Sequence, residues 1–231
     1  MARAYYSSSI QSFLDTEVEQ ILGQLLIHDV FKTEDFQKHA WREEILILKE
    51  QLIAFEDGGI IFEFTIPRMG HRLDVVIIIA GILFLLEFKV GDKEYRKATE
   101  DQVMDYALDL KYFHEASKTR MPMIVATEAV EESCTPSLLE DGIGEVLHCN
   151  RHNIGSTIHR SLSQMHASPL SMEFWLNARY APTPTIIEAA QALYRNHSVH
   201  EISRNDAGAE NLTETTATIN QIIDDCKTNH R

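Results

Sequence analysis

The chain has little of what marks secreted or membrane proteins. Cysteine is scarce: Cys134, Cys149 and Cys226 are the only three in 231 residues and lie far apart. They fit no disulfide framework and no zinc spacing, so free thiols are expected. His148, Cys149, His152 and His159 make no recognisable zinc pattern either and read as ordinary histidines and a thiol. Long apolar runs are missing. The longest, Val75 to Leu86, is too short to cross a bilayer and carries a turn at its middle. The opening MARAYYSSSI lacks the apolar stretch of a signal peptide, so a cytoplasmic location is expected. Positive charge is under-represented as well: 21 Lys and Arg against 35 Asp and Glu leave a net charge of −14. Polyanion affinity comes from Lys and Arg at phosphates, so a nucleic-acid partner requires local basic clusters or a partner domain. Finally, no G-x-x-x-x-G-K-[ST] loop occurs, which excludes an ATPase of that kind within these residues.

What is present is a globular composition, 44% apolar, with enough length for one sizeable core and an appendage. Its centre is Ile60 to Gly91. Two runs rich in β-branched and aromatic residues, Arg72 to Ile79 and Ile82 to Val90, flank Ala80-Gly81, the pattern of a hairpin with a two-residue loop. Pairing Ile79 with Ile82 and counting outward sets Asp74 across from Glu87 and Arg72 across from Lys89, all four on one face. Opposed carboxylates in an apolar sheet are destabilising unless something compensates. A divalent cation with hard oxygen ligands, Mg²⁺ or Mn²⁺, would do so, with Lys89 orienting a water or offsetting charge on a phosphate. The plain structural alternative is a buried Glu87–Lys89 ion pair with Asp74 bonded to a turn.

Asp74, a second strand and then Glu87-Phe88-Lys89 resemble the D…(D/E)-x-K signature of the PD-(D/E)XK nuclease superfamily, with Leu73 where proline is usual. The resemblance implies an α/β fold with a mixed central sheet flanked by helices, and a metal held by Asp74, Glu87 and the backbone carbonyl of Phe88. Members often add an acid from a helix before the sheet. Here that helix runs from about Thr33 to Phe55 with a core stripe of Trp41, Ile45, Leu48 and Leu52, and Glu44 lies at the stripe's edge. Glu63, on the strand Ile60 to Ile66, is a second-rank candidate on the face of Ile61 and Thr65. Downstream, Gln102-Val103-x-x-Tyr106 resembles the Q-h-x-x-Y motif of the RecB-like branch, where glutamine and tyrosine serve the site. A Thr99–Gln102 capping box is the structural alternative for Gln102. Arg68, Arg72, Lys93 and Arg96 are candidate nucleic-acid contacts near the site.

Ser7-Ser8-Ser9 is expected to cap an N-terminal helix, and Pro122 to Thr127, Gly144 to Cys149 and Ser156 to His166 to supply two strands and a closing helix. Expected domains are 1–170, nuclease-like, and 171–231, a linker with helices near Thr185 to Tyr194 and from Asn211. Across essentially its whole length, including Ile66-Pro67-Arg68-Met69-Gly70, Leu86 to Gly91 and Pro182 to Ala189, the chain resembles the N-terminal part of bacterial DUF2075 proteins. Those join a nuclease-like domain to a Schlafen-type helicase. The resemblance implies a metal-dependent nuclease acting on nucleic acid, DNA more than RNA, with a C-terminal ATPase partner domain and a sequence that stops before the nucleotide site. The alternative is a catalytically silent module that binds nucleic acid or docks the helicase.

Overall fold

The computed structural model describes residues 3–28, 35–66, 72–130 and 142–181, with Ile219 in isolation. The helices expected after Pro182, and Arg68, lie outside the described residues. The chain divides into two compact units, Met1–Ala181 and Pro182–Arg231. Among the described residues no helix is long and apolar enough to cross a membrane.

The first unit is α/β. A six-stranded mixed sheet in the order β1-β2-β3-β4-β5-β6 is built from Tyr6–Ser9, Gly59–Thr65, Arg72–Ile79, Ile82–Phe88, Met121–Thr127 and Ile143–Asn150. Neighbours from β1 to β4 are antiparallel, and β4, β5 and β6 run parallel. Helices α1 (Ile10–Asp15), α2 (Val18–His28), α3 (Asp35–Gln51) and α5 (Ile154–Gln164) send Phe13, Leu25, Trp41, Leu48 and Ile158 onto one face. On the other face lie α4 (Lys97–Phe113) and α6 (Met172–Asn177), which contribute Val103, Tyr106, Leu110 and Trp175. Apolar side chains cover both faces, which is why β2 to β5 are buried along nearly their whole length.

Several elements differ from expectation for local reasons. The serine run does not enter a helix directly: Tyr6 to Ser9 first adds an edge strand to β2, with Tyr6 opposite Phe62, and only Ser9 caps α1 by accepting from the Ser12 amide at 3.1 Å. The Thr99–Gln102 capping box does not form, because α4 already begins at Lys97 and the Gln102 side chain is engaged elsewhere. The residues after 170 contribute a core anchor, α6, whose Trp175 is fully buried against Phe64 with ring centroids 4.6 Å apart.

The β3–β4 hairpin has the expected register, Ile79 opposite Ile82. Ala80 and Gly81 both take positive φ, 50° and 78°, the signature of a type I′ turn. At the other end of these strands regular alternation breaks. Phe62 and Val75 belong to the α3 face, yet Phe64 and Leu73, two residues on along each strand, belong to the α4 face. Register is kept across this change, with Phe62 opposite Val75 and Phe64 opposite Leu73. The face switch is absorbed at Glu63, where φ is 54°, and at Asp74 between Leu73 and Val75. The expectation that Glu63 shares a face with Ile61 fails for this reason.

Candidate active site

The site lies where β3 enters and β4 leaves the sheet. The β3–β4 ladder stops at Val75–Leu86, one rung short of Asp74 and Glu87. In place of the next backbone bond, the Phe88 amide donates to Asp74 Oδ2 at 2.8 Å, while the Lys89 amide continues onto β5 through the Ala126 carbonyl at 2.9 Å. The Asp74 carboxylate therefore bridges the two strands where their backbone ladder ends. Glu87, only 2% exposed, turns toward α4. Its Oε1 accepts from Lys89 Nζ at 2.7 Å and from Gln102 Nε2 at 2.9 Å, and the same Nε2 donates to the Tyr106 hydroxyl at 2.8 Å. Gln102 and Tyr106 sit one helical turn apart on a single face of α4, so Gln102 reaches Glu87 while Tyr106 holds Gln102 from behind.

Glu44 arrives from α3 on the opposite face of the sheet and is 5% exposed. Burial, then the charges of Glu63 and Glu87, push its carboxyl up to about 8, with Lys89 working the other way. Burial and the neighbouring Glu87 and Glu44 carboxylates likewise hold Asp74 well above the ordinary aspartate range, against the Phe88 hydrogen bond. Burial raises Glu87 despite Lys89 and Gln102. For Lys89, burial opposes the charged form, but Glu87 and Asp74 outweigh it and keep the ammonium above its usual value. The carboxyl groups thus compete for too few compensating charges.

The structure brings together Asp74, Glu87, Lys89, Gln102 and Tyr106, with Glu44 coupled to them electrostatically. It does not bring Arg72 to Lys89. Because the strands change face here, Arg72 pairs with Glu63 Oε2 at 2.5 Å and donates to the Tyr5 hydroxyl at 2.8 Å, while Trp41 Nε1 secures Glu63 Oε1 at 2.7 Å. Glu63 is consequently committed to a structural network. Lys93 is exposed and Arg96 faces Asp92 at 3.4 Å. A hollow of about 30 Å³ beside Lys89 is lined by Phe88, Thr127, Glu128 and Arg151, room for a water or two. Trp41 and Tyr5, which anchor the Glu63–Arg72 pair, had no sequence signal beyond their place in apolar patterns.

Among the described residues no group of three His, Cys, Asp or Glu side chains is arranged to hold a metal ion. The donor chemistry nonetheless suits a hard cation. Glu44 Oε2 and Glu87 Oε2 are buried without any hydrogen-bond partner, and carboxylate oxygens left so are ligands a hard cation takes. His148, considered with Cys149 at the level of sequence, instead meets Glu100 at 2.8 Å, and the buried Cys149 sulfur lies 3.4 Å from the Thr157 hydroxyl.

Comparison with family models, with curated proteins and with solved structures finds no match to this chain.

Proposed function

We propose that the first unit is a divalent-metal-dependent nuclease of the PD-(D/E)XK type, hydrolysing phosphodiester bonds in nucleic acid, DNA by preference, and serving as the nuclease part of a helicase-linked protein. The observation that carries this reading is Glu87. A buried carboxylate with one oxygen shared by a lysine and a glutamine and the other without a partner is costly as scaffold, particularly beside Asp74 and Glu44. Asp74, Glu87 and the Phe88 carbonyl would hold Mg²⁺ or Mn²⁺, with Glu44 as a further carboxylate. Such an ion, when bound, lowers the pKa of water and stabilises charge on the phosphate. Lys89, kept protonated by Glu87, presents Nζ–H donors to a water or a phosphate oxygen, where charge develops. Gln102 holds the Glu87 carboxylate in one orientation and ties it to the buried Tyr106 hydroxyl.

The purified chain is to be incubated with single- and double-stranded DNA and RNA in Mg²⁺, Mn²⁺ or EDTA. Cleavage that EDTA abolishes and that Lys89→Ala lowers by at least about 100-fold is the expected result, the scale on which removal of one transition-state donor acts. Binding without cleavage by the wild type would instead establish the silent clamp. That second reading draws on the absence of a three-ligand cluster among the described residues.

A further inference from the structure

At the opposite end of the sheet, beyond the β3–β4 turn, lies a cavity of about 440 Å³. That volume suits a mononucleotide-sized ligand. Among the described residues its lining includes the cations Lys111, Lys118 and Arg120 and one carboxylate, Glu115. In a chain carrying −14 this is an unusual concentration of positive charge. Among the described residues, moreover, Lys111, Lys118 and Arg120 take part in no ion pair, although Lys111 and Arg120 are half-buried. A lysine in the last turn of α4 complements the helix dipole, which accounts for Lys111 alone and not for the other two. The fourth wall is Phe174, 65% exposed on α6 and facing the same cavity. An exposed aromatic in a cavity lined by three cations offers a stacking surface next to a phosphate site.

The walls are fixed. Thr119 donates to the Gly81 carbonyl at 2.8 Å, and Gly81 is packed so closely on the following loop that a Cβ there would lie 1.9 Å from the Ser168 carbonyl oxygen. The cavity lies at the start of β4 and the acidic site at its end, so the two are separated by about 20 Å of strand.

We propose that this cavity is a nucleotide-binding site, in which Lys111, Lys118 and Arg120 hold a phosphate and Phe174 stacks on the base. The ligand is either a free nucleotide or a nucleotide unit of a single strand, which share this chemistry. The inference does not rest on the acidic site: binding here persists in EDTA and is independent of any cleavage.

The test uses the full chain in EDTA. Anisotropy of a short fluorescein-labelled oligothymidylate is titrated over a range of salt, with thymidine 5′-monophosphate and inorganic phosphate as competitors. Lys111→Ala/Arg120→Ala is expected to weaken binding at least tenfold and to flatten the salt slope by roughly 1.4, the share of two phosphate contacts on a single strand. Phe174→Ala, an exposed position that cannot disturb folding much, weakens binding fivefold or more and leaves the salt slope unchanged. Oligothymidylate binding far tighter than the monophosphate assigns the site to a strand, and equal binding assigns it to a free nucleotide. Wild-type affinity in both variants, inorganic phosphate competing as well as the monophosphate, or no binding of any probe would overturn the proposal.

Discussion

Two buried polar networks lie on this sheet, and they are built on opposite terms. Around His114 the hydrogen-bonded side chains are neutral: Trp175 Nε1 donates to Ser117 Oγ at 2.8 Å and the same oxygen meets His114 Nδ1 at 2.7 Å, while the one charge close by, the Arg3 guanidinium, is spent on the Leu176 carbonyl at 3.0 Å. Burial, and then the Arg3 charge, push the imidazole down to about 4, so it remains uncharged at neutral pH. Around Glu87 the carboxyl groups of Glu44, Asp74 and Glu87 are set against the Lys89 ammonium, so like charges outnumber the cation that offsets them. Each network leaves buried atoms without partners, His114 Nε2 in the first and Glu44 Oε2 and Glu87 Oε2 in the second. An orphan on a neutral ring is a small loss, whereas orphans on neighbouring carboxylates oppose folding more strongly. The first arrangement is therefore intelligible as scaffold, locking α6 onto the sheet, and the second is not. This contrast is what directs the functional reading to Glu87 and away from the equally buried histidine.

The largest effect that would test the contrast is on stability at the neutral network. Trp175→Ala removes a fully buried indole that packs on Phe64 and His114 and deprives Ser117 of its donor. A loss of about 3–5 kcal/mol is expected, read as a lower urea midpoint with an unchanged slope. If the loss is below 1 kcal/mol, on the scale of an exposed site, α6 is an appendage and the first unit ends near 170.

The hairpin and its two-residue turn were legible because Ala-Gly between β-branched runs leaves few other ways to close the chain. The register to Val75–Leu86 followed from period-2 counting. Counting failed one rung later, at Asp74, because both strands change face there and the positive φ at Glu63 has no signature in its neighbours. Arg72 was misplaced as a direct result. The stripe Trp41, Ile45, Leu48 and Leu52 is buried as its spacing implied, and that stripe carries Glu44 inward with it. Trp175 was illegible for a different reason. A six-residue helix is too short to show a period, and its neighbours Phe174 and Met172 gave no contrast of faces. The basic cavity was hidden because Lys111, Lys118 and Arg120 flank a helix-to-strand connection, where charged residues are ordinarily solvated.

A mid-sized effect separates the networks by pH. The Glu44 carboxyl is raised to about 8 in the folded chain from an ordinary 4.5, so the folded state binds the proton more tightly and stability falls as pH rises through that interval. Glu44→Gln is an uncharged isostere and is expected to flatten the decline, leaving the variant more stable than wild type at pH 8.5 by on the order of 2 kcal/mol and little changed at pH 5. Thermal midpoints across pH check this. A variant less stable than wild type at every pH would mean that Glu44 serves the scaffold and would remove it from the acidic site.

The smallest effect has the opposite sign of pH dependence. His114 is lowered to about 4 from 6.5, so the folded state binds its proton less tightly and stability is lost as pH falls through that window. His114→Phe retains a ring against Trp175 and Phe64 while removing both the titrating group and the unpartnered Nε2. At pH 7 it loses one hydrogen bond to Ser117, about 1 kcal/mol, and at pH 4.5 the difference from wild type should shrink or reverse. Parallel stability curves for wild type and variant between pH 4.5 and 7 would show that the imidazole does not titrate across unfolding, and the neutral network would then no longer stand as the counterpart of the acidic one.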